Sequence, residues 1–100
     1  MTKMELQQIL NQVNNATVDQ FTEYVSIVKQ AIEKLQSIQQ EDKSPMLDAW
    51  LGMGLEEMRK DLSQRLNGNF LSLPLDKQKT ELMYSKSTVS MSLTNVLMHL

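Results

Sequence analysis

Between Val18 and Leu35, apolar residues recur at a spacing of 3-4-3-4-3: Val18, Phe21, Val25, Val28, Ile32 and Leu35. That is the a/d seam of a helix built to pack against another helix. Tyr24, Ile27, Ala31 and Ile38 add a second stripe beside it. Together the two stripes make an apolar face wide enough for two neighbours. Upstream, Leu6, Ile9, Leu10 and Val13 are also helix-periodic but out of phase, because Val13 to Val18 is a step of five. Asn14-Asn15-Ala16-Thr17 lies between the two runs, and Thr17-x-x-Gln20 has the form of a capping box. The pattern predicts helix over about residues 4–40, either continuous through a stutter or broken near residue 15.

A second helix is predicted over about residues 45–67, opened by Ser44 as N-cap and Pro45 at the first helical position. Leu47, Leu51, Leu55, Met58, Leu62 and Leu66 hold one face, with Trp50 beside them. Glu56 with Lys60 and Asp61 with Arg65 are i,i+4 pairs expected on the solvent side. Asn67-Gly68 is expected to supply a left-handed stop. A third helix is predicted over about residues 75–99 from Leu82, Val89, Leu93, Val96 and Leu100. Within it, Val89-Ser90-Met91-Ser92-Leu93-Thr94 alternates strictly, which is also a strand pattern. A lone strand would need a partner's sheet edge. The fold class expected is therefore all-α, a single helical domain over residues 1–100 and most simply a three-helix bundle.

Composition narrows the function classes. The chain has 100 residues, 41% hydrophobic and 22% charged, with a formal net charge of −2. Charge runs from −3 over residues 1–42, through 0 over 43–69, to +1 over 70–100. No basic footprint for nucleic acid emerges, and Lys77, Lys79 and Lys86 read as a solvated helix face. With no Cys and a single His, disulfides, thiol chemistry and most metal constellations drop out. His99, at the penultimate position, reads as a frayed residue near a helix C-terminus. None of the nine Ser lies in a nucleophile elbow. Glu56, Glu57 and Asp61 interleave with Arg59 and Lys60, the mixture of a solvated face, and Glu-x-x-His is absent from the sequence. No enzyme, cofactor or metal is expected. No run of about 18 apolar residues occurs, and the N-terminus lacks a signal-peptide pattern. The expected address is cytoplasmic. Export by a signal-less machine, or a place in a virus particle, leaves the same trace.

Three features bear on binding. Met is over-used, at eight residues of 100, and flexible thioethers suit adaptable surfaces as well as irregular cores. Phe70, Leu71, Leu73 and Leu75 place an apolar cluster in a connector that would normally be polar. Gly52 and Gly54 inside an otherwise good helix read as close helix–helix approach or as a notch for a partner. The expected function is a non-enzymatic interaction module, an adaptor, chaperone or assembly subunit, bound to a protein partner or to further copies of itself. Its candidate partner-binding residues are Trp50, Met53, Met58, Phe70, Val18, Phe21 and Val25. A small DNA-binding regulator is a further alternative, since a helix-turn-helix fits any three-helix chain.

Trp50-Leu51-Gly52, with Gly54 four residues after the Trp and Met58 eight after, resembles the pattern of the WXG100 family of small secreted helical proteins. The resemblance implies a self-assembling secreted subunit with its Trp-x-Gly at a hairpin turn. Here, however, the Trp lies within a helix begun at Ser44-Pro45, and Asn67-Gly68 and Pro74 interrupt what would be the second long helix. Thr88 stands where that family's tail signal after Tyr84 would carry an acid.

Overall fold

The computed structural model describes residues 2–41 and 44–100. It contains four helices rather than three: α1 (Thr2–Asn15), α2 (Phe21–Glu41), α3 (Pro45–Gln64) and α4 (Leu75–His99). Short 3-10 turns at Val18–Gln20 and Phe70–Ser72 precede α2 and α4. No strand occurs among the described residues, and the alternating stretch 89–94 lies inside α4.

The step of five is a full break. Thr17 is extended, with φ −122° and ψ 168°, and its N–H donates to Gln20 Oε1 at 3.3 Å. That reciprocal cap starts the 3-10 turn that runs into α2 and lets α1 fold back along it. At the other end, Asp42 and Lys43 of the first punctuation point lie outside the described residues. Pro45 occupies the start of α3, as predicted, and Asp48 N–H donates to Ser44 O at 2.9 Å.

Asn67-Gly68 works differently from expectation. No described residue has positive φ, Gly68 included. Instead Leu66 N–H reaches back to Asp61 O at 2.9 Å, and Asn67 Nδ2 donates to Ser63 O at 3.0 Å. Asn69 N–H then donates to Asn67 Oδ1 at 2.9 Å. The Asn67 amide thus satisfies the last carbonyls of α3 and turns the chain without a left-handed residue.

Each helix packs on its chain neighbours, and α4 closes the ring against α1. Cross-links show that adjacent helices run antiparallel. Lys34 of α2 bridges Glu5 of α1 at 2.7 Å, Ser90 of α4 donates to Asn14 of α1 at 2.7 Å, and Trp50 of α3 stacks on His99 of α4. The result is an up-down-up-down bundle measuring 44 × 22 × 17 Å.

Both stripes of α2 are used. Phe21, Tyr24, Val28, Ala31, Ile32, Leu35 and Ile38 are buried, facing α1 on one side and α3 on the other. Phe21 stacks flat on Phe70, with ring centroids 4.1 Å apart, so the apolar connector begins by plugging one end of the core. Leu71 and Leu75 stay exposed. The Lys face of α4 is only partly solvated, because Lys86 Nζ donates to Ala16 O at 2.8 Å. A cation there caps the C-terminal end of α1.

Candidate functional site

Two regions carry more than generic packing: a polar chain through the core and a methionine-lined groove on the surface. The polar chain begins at Tyr24 of α2, whose hydroxyl lies 2.8 Å from Ser85 Oγ of α4. Ser85 in turn donates to Asp61 Oδ2 of α3. Because the Ser85 proton is committed to the carboxylate, Tyr24 is the donor in the first bond. Asp61 Oδ1 accepts from Arg65 Nη1 at 2.5 Å, and Arg65 Nε donates to Glu81 Oε2 at 2.9 Å. Arg65 also lies 5.7 Å from the centroid of the Tyr84 ring.

The Asp61–Arg65 pair expected on the solvent side is therefore an inward pair, with Asp61 only 3% exposed. Its position toward α4, and not its charge, decides where it lies. Every member of the chain has a partner, as a buried ionic group requires. Burial pushes the Tyr24 hydroxyl well above the usual tyrosine range. The nearby Asp61 carboxylate adds to the rise. Burial alone would lower Arg65, but its bonds to Asp61 and Glu81 prevail and hold it above the usual value.

A serine donating to a carboxylate has the outline of an activated nucleophile. Ser85 is fully buried, however, so no substrate atom can reach its Oγ. A polar cleft of about 390 Å³, lined by Glu57, Lys60, Asp61, Gln64, Arg65, Glu81 and Thr88, flanks the chain from outside. Its Arg is already committed to two carboxylates. Among the described residues, no three or more His, Asp or Glu side chains group closely enough to hold a metal ion.

The groove lies between α3 and α4. Trp50, Met53, Gly54, Glu57, Met91 and Asn95 are among the residues lining its 270 Å³. Trp50 is half-buried and rests on the His99 ring at 4.9 Å between centroids. His99 Nδ1 lies 2.7 Å from Asn95 O, so this histidine is packed within the last turn of α4 and is not frayed. Met53 and Met91 are 58% and 64% exposed. Gly54 sits where α3 approaches its neighbours: a Cβ there would stand 3.3 Å from Leu35 Cδ1 and 3.5 Å from Ser92 Cβ. Gly52, by contrast, faces open space, so the close-approach reading applies to one glycine of the two.

The seven candidate partner-binding residues divide by burial. Trp50 and Met53 meet at the groove. Met58, Phe70 and Phe21 are core residues with no surface to offer a partner, while Val18 and Val25 pack at the core's edge. The groove's α4 wall, Met91 and Asn95, was absent from that set. So was the polar chain: its Asp61–Arg65 step is a local i,i+4 pair, but the links that join residues 24, 61 and 85 leave no local signal.

No family model matches the chain, and no curated protein or solved structure is significantly similar to it. The Trp-x-Gly of the WXG100-like pattern lies inside α3 of a four-helix bundle, and not at a hairpin turn. Among the described residues no helix is long and apolar enough to cross a membrane.

Proposed function

We propose that this chain is a non-catalytic helical interaction module that docks a protein partner across the α3–α4 face, in the manner of an adaptor, chaperone or assembly subunit. The observation that carries the reading is the concentration of exposed thioethers around Trp50. Met46 and Met53 lie seven residues apart on α3, Met91 and Met98 seven apart on α4, and all four are more than half exposed. Soluble chains seldom leave so much apolar surface together unless something covers it. Methionine adapts its shape to a partner's side chains, and a half-buried Trp is the usual kind of anchor at an interface centre. A groove between two antiparallel helices takes an amphipathic helix through anchors at i, i+3 or i+4 and i+7.

Met53→Asp tests this reading, because an exposed side chain can be changed without opening the core. The tagged chain, purified from its own host, should lose its bound polypeptide while its melting temperature moves by less than about 3 °C. If the polypeptide is retained at full stoichiometry, the groove is not the docking surface.

A further inference from the structure

The outer side of α4 carries a second seam. Tyr84, Ser87, Met91, Thr94 and Met98 follow the spacing 3-4-3-4, and all five are exposed. They lie opposite the residues α4 gives to the core: Leu82, Ser85, Val89, Ser92, Leu93, Val96 and Leu97. An a/d repeat is the signature of a helix with a helical mate, yet no helix of the described residues packs over this one, and at its first position the Arg65 guanidinium lies over the Tyr84 ring.

Charge is missing from the same surface. After Lys86 no residue of α4 is acidic or basic apart from His99, and none from Leu6 to Val18 is charged. These two stretches lie side by side, joined by Asn14 with Ser90 and by Ala16 with Lys86. At an ordinary charged fraction of about a quarter, stretches of this length would hold about six charges. The exposed positions instead carry Gln, Asn, Ser, Thr and Met.

Resting on the interaction-module reading, we infer that the occupant of this face is a second copy of the chain, its α4 packed antiparallel to the first about a two-fold axis. The argument is the order of large and small residues. In an antiparallel helix pair, each a position shares a layer with a d position of the other helix. Ser87 then meets Met98, Met91 meets Thr94, and the same two layers repeat in reverse beyond the axis. All four layers hold one Met and one small hydroxyl side chain, which fills them evenly. Parallel pairing would stack Met on Met and Ser on Ser. A two-fold interface also brings each group near its own counterpart; the seam residues themselves carry no charge, so they meet without repulsion, with Glu57 and Arg65 at the margin. A seam of five side chains on one helix falls well short of the ~20–30 residues per side of a standard stable interface. The dimer is therefore reversible.

Sedimentation velocity on the full chain, from about 1 µM to about 1 mM, brackets an interface of this size. The mass should climb from 11.5 kDa toward twice that value. Met91→Thr alone sets Thr against Thr, and Thr94→Met alone sets Met against Met; each should weaken the dimer about ten-fold or more. The double variant Met91→Thr/Thr94→Met returns one Met and one Thr to the layer and should recover to within about three-fold of the parent. Both positions are exposed, and unchanged thermal melts confirm the fold. A double variant no better than the worse single, or a mass fixed at that of one chain, overturns the inference. If the mass stays fixed while a different polypeptide is held through Met53 and Met91, the homodimer fails and the module reading stands; if neither association occurs, both fail.

Discussion

Replacing Ser85 with Ala removes one oxygen atom from the core and should cost more than most full side-chain truncations at the surface. In the native bundle this hydroxyl accepts from Tyr24 and donates to Asp61, and it has no exposure to water. Without it the Tyr24 O–H is left buried and unpaired, at about 1–2 kcal/mol. The Asp61 carboxylate loses one of its donors, and a bond to a charged group contributes about 1.5–3 kcal/mol. Arg65 still holds the other carboxylate oxygen, so the net charge of the site stays compensated and the two terms do not grow further. The expected loss is about 3 kcal/mol, a drop in melting temperature of roughly 12–24 °C for a chain of this size. Urea unfolding followed by far-ultraviolet circular dichroism reads the loss directly. Tyr24→Phe removes the unpaired donor, at about 1 kcal/mol on its own. The double variant should therefore be less destabilised than the sum of the two by at least about 1 kcal/mol. A cost below about 1 kcal/mol for Ser85→Ala, or additivity within about 0.5 kcal/mol, would refute the relay from Tyr24 through Ser85 to Asp61.

The two helical glycines should respond in opposite ways. Gly52→Ala, facing open space, should raise stability by about 0.5–1 kcal/mol, whereas Gly54→Ala should gain nothing because its Cβ would press on Leu35 and Ser92. Equal gains at both positions in chemical denaturation would remove the close approach of α3 from the account. Alkali gives the third test. Burial raises the Tyr24 pKa above its unfolded value, so the native state holds this proton more tightly than the unfolded chain does. That contribution is complete below about pH 10 and is lost as pH climbs beyond it, by at most about 1.4 kcal/mol per pH unit. Denaturation midpoints of the parent should fall through this window more steeply than those of Tyr24→Phe, and parallel slopes would contradict the assignment.

How legible the fold was depended on whether a signal was local. The double stripe of α2 needed only a count of spacings, and it correctly foresaw two neighbours. The break before Val18 was visible as a step of five, but whether a helix bends or stops there rests on the Thr17–Gln20 cap and on α1 folding back, which spacing cannot weigh. At Val89–Thr94 the alternation was real. It arises because a helix with Val89, Ser92 and Leu93 inward and Met91 and Thr94 outward can also spell a two-residue period. Asp61 was misplaced because an i,i+4 acid–base pair looks alike on a wet face or a dry one. Only the approach of α4, with Ser85 opposite, turns it inward. The groove was half legible: Trp50 and Met53 stood out by type, while its α4 wall joins the chain about forty residues later.

The buried polar chain and the outer seam are connected through α4. This helix has seven-residue repeats on two opposite sides, aliphatic inward and mixed Met and hydroxyl outward, so rotating it half a turn would bury Met91 and Met98 and expose Val89, Leu93 and Val96. Hydrophobic burial already favours the observed state, because the rotated one would expose Leu82, Val89, Leu93, Val96 and Leu97 and bury Ser87 and Thr94 beside the methionines. The polar bonds discriminate in the same direction. In the rotated state Ser85 would leave Asp61 and Tyr24, and a buried carboxylate short of a donor is a cost that no gain in Met burial offsets. The aliphatic face and the core bonds of Ser85 thus act together to keep the methionine seam facing outward, available to a second copy. Ser85→Ala should then lower the melting temperature but leave dimerisation measured well below the melt within about three-fold of the parent, because the aliphatic face still holds the orientation. Met91→Lys should abolish dimerisation and leave the melt of the monomer in place. If dimerisation of Ser85→Ala falls by much more than about three-fold while its fold is retained, the polar bonds and not apolar packing set the orientation of α4.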